Sequence, residues 1–148
     1  MRFAPFLLAA AVAAAALATT DAVAKTEDPI LCNLRADYLI NRTLRAPFLH
    51  TFTIEPGASY DYDFSNVIRQ RYLNAKADLD PVTGATTVSI SLFQDTSAFN
   101  FVEVITSVRV ANNNDVFSTA GRSTFFTTLG TAGEHTNDYE LSCVVDKF

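Results

Sequence analysis

The chain has 148 residues, with 11 Lys+Arg against 16 Asp+Glu and a net charge of −5. That acidity argues against a nucleic-acid partner or an anionic membrane surface. Two cysteines are too few for a cysteine-based metal site, and the absence of tryptophan weakens any sugar-stacking reading.

The chain opens on an export pattern. Arg2 supplies a positive start, and residues 6–18 are uninterruptedly apolar and mostly alanine. That run is too short to span a bilayer, and Ala22-Val23-Ala24 follows as a small-x-small cleavage pattern. A buried core helix would carry a polar face, and this run has none. Residues 1–24 therefore read as a signal peptide and 25–148 as a single mature domain, secreted or periplasmic. Cleavage would remove Arg2 and Asp21, so the net charge stays at −5.

No later stretch approaches 18 consecutive apolar residues. Leu31 ahead of Cys32 fits poorly with lipid attachment there. Counting back in twos from Phe148 gives Asp146, Val144, Ser142 and Glu140. The face that a lipid would meet in an outer-membrane barrel would then carry two acids, at a cost. No membrane insertion is expected.

From Leu31 onward the dominant period is two. Cys32, Leu34, Ala36, Tyr38 and Ile40 alternate with polar positions in a first half-buried strand. Pro47 opens a second, with Phe48, Phe52 and Ile54 on one face, and Glu55-Pro56-Gly57 turns the chain. Ala58, Tyr60, Tyr62 and Phe64 form the apolar face of a third strand, and Leu73, Ala75, Ala77 and Leu79 that of a fourth. The run Asp80-Pro81-Val82-Thr83-Gly84 is the strongest turn signal, so residues 72–94 read as a hairpin returning through Val88, Ile90 and Leu92.

Residues 99–110 form the longest β-run, with Val102, Val104, Val108 and Val110 in phase, and residues 112–115 turn the chain. Two weaker strands are expected over 116–119 and 123–129. A loop over 130–137 leads to a closing strand over 139–145. Eight or nine short strands without a helix define an all-β fold, an antiparallel β-sandwich or small β-barrel of about eight strands. Cys32 and Cys143 fall on the apolar faces of the first and last strands and are expected to form one disulfide in an oxidising compartment.

Groups that carry chemistry are sparse. His50 is in phase with Phe48, Phe52 and Ile54 and reads as a packed or sheet-edge residue, while His135 reads as a loop residue. Serines are many, but no nucleophile elbow singles one out. Asp61 with Asp63, and Asp78 with Asp80, present paired oxygens without the remaining ligands of a calcium loop, and read as a solvated face and a turn. Arg42 and Arg45 with Arg69 and Arg71 could make an anion-binding patch. Asn41-Arg42-Thr43 is a glycosylation sequon.

Tyr60, Tyr62 and Phe64 form an aromatic stripe that is the candidate ligand-binding surface. No metal site and no cofactor are expected. The leading functional reading is a secreted non-catalytic β-domain that binds a partner protein or small molecule, or serves a structural role. The alternatives are a small hydrolase or metal-dependent enzyme using His50 or His135, and a β-barrel carrier of an apolar ligand.

Overall fold

Alternation at period two becomes eight strands in two four-stranded sheets. The computed structural model describes residues 28–97 and 100–147, so the expected signal segment and Phe99 lie outside the described residues. The strands are β1 (Ile30–Ile40), β2 (Thr43–Ile54), β3 (Ser59–Asp63), β4 (Arg71–Leu79), β5 (Thr86–Ser97), β6 (Asn100–Val110), β7 (Phe117–Thr127) and β8 (Gly133–Val145). One sheet has the order β2-β1-β8-β7 and the other β3-β4-β5-β6, with every pairing antiparallel. The arrangement is sandwich-like, and no helix occurs among the described residues.

The route of the chain follows from its turns. The β1–β2 hairpin stays in the first sheet, and the turn over residues 55–58 carries the chain across to the second. There β3 to β6 run as a meander, before β7 and β8 return to the first sheet. Because β8 inserts beside β1, the earliest and latest strands lie at the centre of one sheet. Their register places Cys32 directly opposite Cys143, with Cα atoms 4.2 Å apart, and the two are joined by a disulfide. The expected bridge is thus between neighbouring strands, not across the two sheets.

The main core is built from the alternate residues that face inward. Ile30, Cys32, Leu34 and Ala36 of β1 meet Leu73, Ala75 and Ala77 of β4, with Val88, Ile90 and Leu92 of β5 and Leu141, Cys143 and Val145 of β8 beside them. Toward the other end of the sandwich this apolar layer gives way to a smaller cluster of Tyr38, Ile40 and Val102. His135, Asn137 and Gln94 are buried at the same end.

Several boundaries differ from the sequence expectation, each for a local reason. β2 begins at Thr43 and not at Pro47, because Asn41 and Arg42 both adopt positive φ, 48° and 65°, and close a two-residue hairpin. Pro47 lies inside this strand; it is tolerated because β2 is an edge strand with no partner on its outer side.

The two weaker strands expected over 116–129 are one strand, β7, which runs through Gly121. Tyr139 crosses over that glycine, and a Cβ at position 121 would stand 2.5 Å from its hydroxyl. The stretch expected as a loop over 130–137 is mostly strand. β8 starts at Gly133, is held by β1 on one side and β7 on the other, and at 13 residues exceeds β6 as the longest strand.

The disulfide closes a sequence separation of 111 residues. Its removal in a Cys32→Ala/Cys143→Ala variant should lower unfolding stability by very roughly 4 kcal/mol in the chain-entropy account. Equilibrium denaturation of the two forms measures this, and equal stability would show that the pairing of β1 with β8 stands without the bond.

Candidate functional site

A cleft of about 400 Å³ opens between the two sheets at the end of the sandwich remote from the disulfide. Tyr38 and Ile40 of β1 and Ala46 of β2 form one wall. Arg71 of β4 with Gln94 and Asp95 of β5 form the other, and Arg45 and Thr131 complete the rim. The size suits a small ligand.

Local backbone features place the polar side chains. Arg71 and Gln94 are directly opposed in the β4–β5 register, so both continue the inward face that carries Leu73 and Leu92. Arg45 arrives by a different device. The β1–β2 register steps from Tyr38↔Ala46 to Leu39↔Leu44 and leaves Arg45 without a partner. Arg45 stays exposed, at the rim of the cleft beside this bulge.

Hydrogen bonding at this end is unevenly completed. His135 is fully buried, with both ring nitrogens engaged: Nε2 lies 2.6 Å from the carbonyl oxygen of Thr131 and Nδ1 lies 2.8 Å from the hydroxyl of Tyr38. A carbonyl can only accept, so Nε2 carries the hydrogen, and in the neutral ring Nδ1 accepts from Tyr38. By contrast, Gln94 is only 3% exposed and its Nε2 has no partner among the described residues. Arg71 Nε and both amide atoms of Asn137 are likewise buried without partners. Each such group costs about 1–3 kcal/mol when left unsatisfied.

The expected site residues fall in three places. Tyr60 and Tyr62 lie on β3 and Phe64 just beyond its end, and they meet Phe48, His50 and Phe52 of β2, the two strands at one edge of the sandwich. Phe48 stacks on Phe64 at 4.5 Å between centroids, and His50 on Tyr62 at 4.1 Å. Tyr60 and Phe64 pack against the core and Tyr62 remains 37% exposed. His50 Nε2 also lies 2.8 Å from the Tyr60 hydroxyl, and desolvation pushes the His50 pKa below its ordinary value. The two features read separately in the sequence are one ring cluster.

His135, expected on a loop, is instead an interior residue of β8. Polar inward residues at 135 and 137 hid the strand, because they interrupt the apolar alternation that runs from Tyr139 to Val145.

The carboxylates act locally. Asp80 accepts bonds from the Val82 and Thr83 amides, the Thr83 hydroxyl and Arg109, which together hold its pKa well below the carboxylate range. Asp78 pairs with Lys76, Asp61 accepts from Asn74 and Asp63 accepts from the Ser65 amide. Among the described residues no group of three or more metal-ligating side chains comes together.

Of the four arginines read as a patch, the structure brings Arg45 and Arg71 to the cleft. Arg69 sits beside it on Asp95, at 4.0 Å. Arg42 is elsewhere, with Arg122 and Glu134. Asn41, the sequon residue, accepts the Glu134 amide through its side-chain oxygen. Sequence reasoning did not single out Tyr38 or Gln94 as polar groups of a site. The available signal was a polar residue continuing an apolar face, as Gln94 does after Val88, Ile90 and Leu92.

No known protein family matches the chain, and no curated protein shows significant similarity to it. The site therefore stands on its own geometry.

Two outcomes follow. Replacing Gln94 with Met removes a buried donor that has no partner, so unfolding stability in the absence of ligand should rise by roughly 1 kcal/mol; a fall would show that the amide is satisfied. For His50, the folded pKa is lowered, so stability is complete above the unfolded value of 6.5 and declines as pH drops below it toward the folded value. A His50→Phe variant should lose this mildly acidic decline in denaturation midpoints, and an unchanged slope would refute the assignment.

Proposed function

We propose that this is an exported β-sandwich that acts by binding, and that its ligand, a small polar molecule, sits in the cleft at the end remote from the disulfide. The observation that carries the site is the pair of buried donors on its walls, Gln94 Nε2 and Arg71 Nε, that find no acceptor among the described residues. Buried polar groups are satisfied almost everywhere in folded proteins, and an exception on the wall of a cleft points to a ligand or ordered water as the missing partner.

Export is supported by the apolar run over 6–18, the Ala22-Val23-Ala24 pattern and a disulfide, which is compatible with an oxidising, extracellular or periplasmic compartment. Binding is favoured over catalysis by the state of the two histidines. His135 is enclosed with both nitrogens engaged, and His50 is stacked against Tyr62 with Tyr60 on its Nε2. Among the described residues neither is bonded to a carboxylate that would orient it as a general base.

The end cleft is favoured over the tyrosine stripe because the stripe's rings stack on one another and on β2.

Intact mass of the protein secreted by its own host, taken under native and then denaturing conditions, tests both parts. The expected product begins at Lys25, has the mass of the oxidised chain, and carries a native-only adduct that Arg71→Met reduces. Retention of residues 1–24 would overturn export. An adduct indifferent to Arg71→Met and Gln94→Met would move the site away from the cleft.

A further inference from the structure

We infer that the ligand of this cleft is a small organic oxyanion, a carboxylate or phosphate head on a short apolar body, held by Arg71, Gln94 and Arg45. This rests on the cleft being the ligand site and adds the chemical class of what it takes.

The distribution of charge partners is the first ground. Seven arginines are described, and Arg35, Arg69, Arg109 and Arg122 each pair with an aspartate. Arg42, Arg45 and Arg71 make no ion pair among the described residues, and Arg45 and Arg71 both line this cleft. In a chain of net charge −5, where carboxylates outnumber basic groups, two guanidiniums that line one cleft without an ion-pair partner are a local exception. Asp95 also lines the cleft, but Arg69 stands 4.0 Å from it and offsets its charge.

The second ground is the polarity of what is missing. The unsatisfied atoms on the walls, Arg71 Nε and Gln94 Nε2, are both donors, so the absent partner must accept. An oxyanion offers several acceptor oxygens at once and makes the stronger, charge-assisted bond to a guanidinium.

Burial of Gln94 to 3% exposure shows that this donor is built into its strand, while Arg45 stands exposed at the rim of the cleft.

The third ground is room. A volume of about 400 Å³ equals the liquid share of roughly a dozen waters, more than a bare oxyanion fills. Ile40 and Ala46 line the remaining wall with apolar surface, which fits a short hydrocarbon body attached to the anionic head.

The test is a titration of the mature, disulfide-bonded protein with acetate, hexanoate, hexanol and inorganic phosphate, read by calorimetry and by the side-chain amide resonances of Gln94. Hexanoate should bind saturably and shift those resonances. It should exceed acetate by roughly tenfold or more through its buried methylenes. Arg71→Met should weaken it by about tenfold or more, while Arg42→Met leaves it unchanged. Gln94→Met serves as the second cleft variant should Arg71→Met fold poorly.

Tighter binding of phosphate than of acetate would assign the head as a phosphate ester, and the reverse a carboxylic acid; both support the inference. Hexanol binding as tightly as hexanoate would overturn the anion while leaving the cleft as a binding site. The same division follows from a neutral native-only adduct. No saturable binding of any of the three anions at the cleft would overturn the inference.

Discussion

Pairing of β1 with β8 is the constraint on which the rest of the molecule depends. It brings residues from opposite ends of the described chain into direct register from Ile30↔Val145 to Ile40↔His135, and the Cys32–Cys143 bond lies near one end of that ladder. Once the two strands are central in one sheet, β2 and β7 can only flank them. The four intervening strands must then form the opposing sheet, which they do as a meander. Such non-local pairing is entropically slow to find, because a long loop must close before the contacts reward it. A covalent link between the strands shrinks the unfolded ensemble that has to be searched.

The same ladder divides the interior. Near the disulfide it is flanked by aliphatic side chains in an uninterrupted layer, the most economical way to stabilise a two-sheet fold. At its other end the inward positions belong to Tyr38, His135 and Asn137, and across the sandwich to Gln94 and Arg71. A core designed only for stability would not place these groups there, since each buried polar atom without a partner works against folding. Stability concentrated at one end and polar groups at the other is the division expected of a scaffold that carries a site.

The aromatic cluster at the β2–β3 edge answers a different physical need. Both strands are edges, and edges expose backbone groups that can recruit other chains. Pro47 removes one donor from β2, and the stacked rings of Phe48, His50, Phe52, Tyr60, Tyr62 and Phe64 close the gap between the sheets where no further strand continues them. Here His50 serves as an aromatic surface, and its depressed pKa is a consequence of that packing.

The amino-acid sequence by itself determined the class of fold, most of the strands, the Asp80–Gly84 turn and the partnership of the two cysteines. Each follows from short-range regularities: side-chain alternation, turn chemistry and the phase of Cys32 and Cys143 on their apolar faces. It also offered the arginines and the rings, but as separate features. Only the tertiary structure decided that Tyr60, Tyr62 and Phe64 share one cluster with His50, that Arg45 and Arg71 line one cleft while Arg42 does not, and that His135 is interior. The reason is that these depend on strand order and on one β2 residue left out of the register, neither of which leaves a periodic trace. Polar residues on an inward face are invisible to a reading built on apolar alternation, and those are the residues that make the cleft.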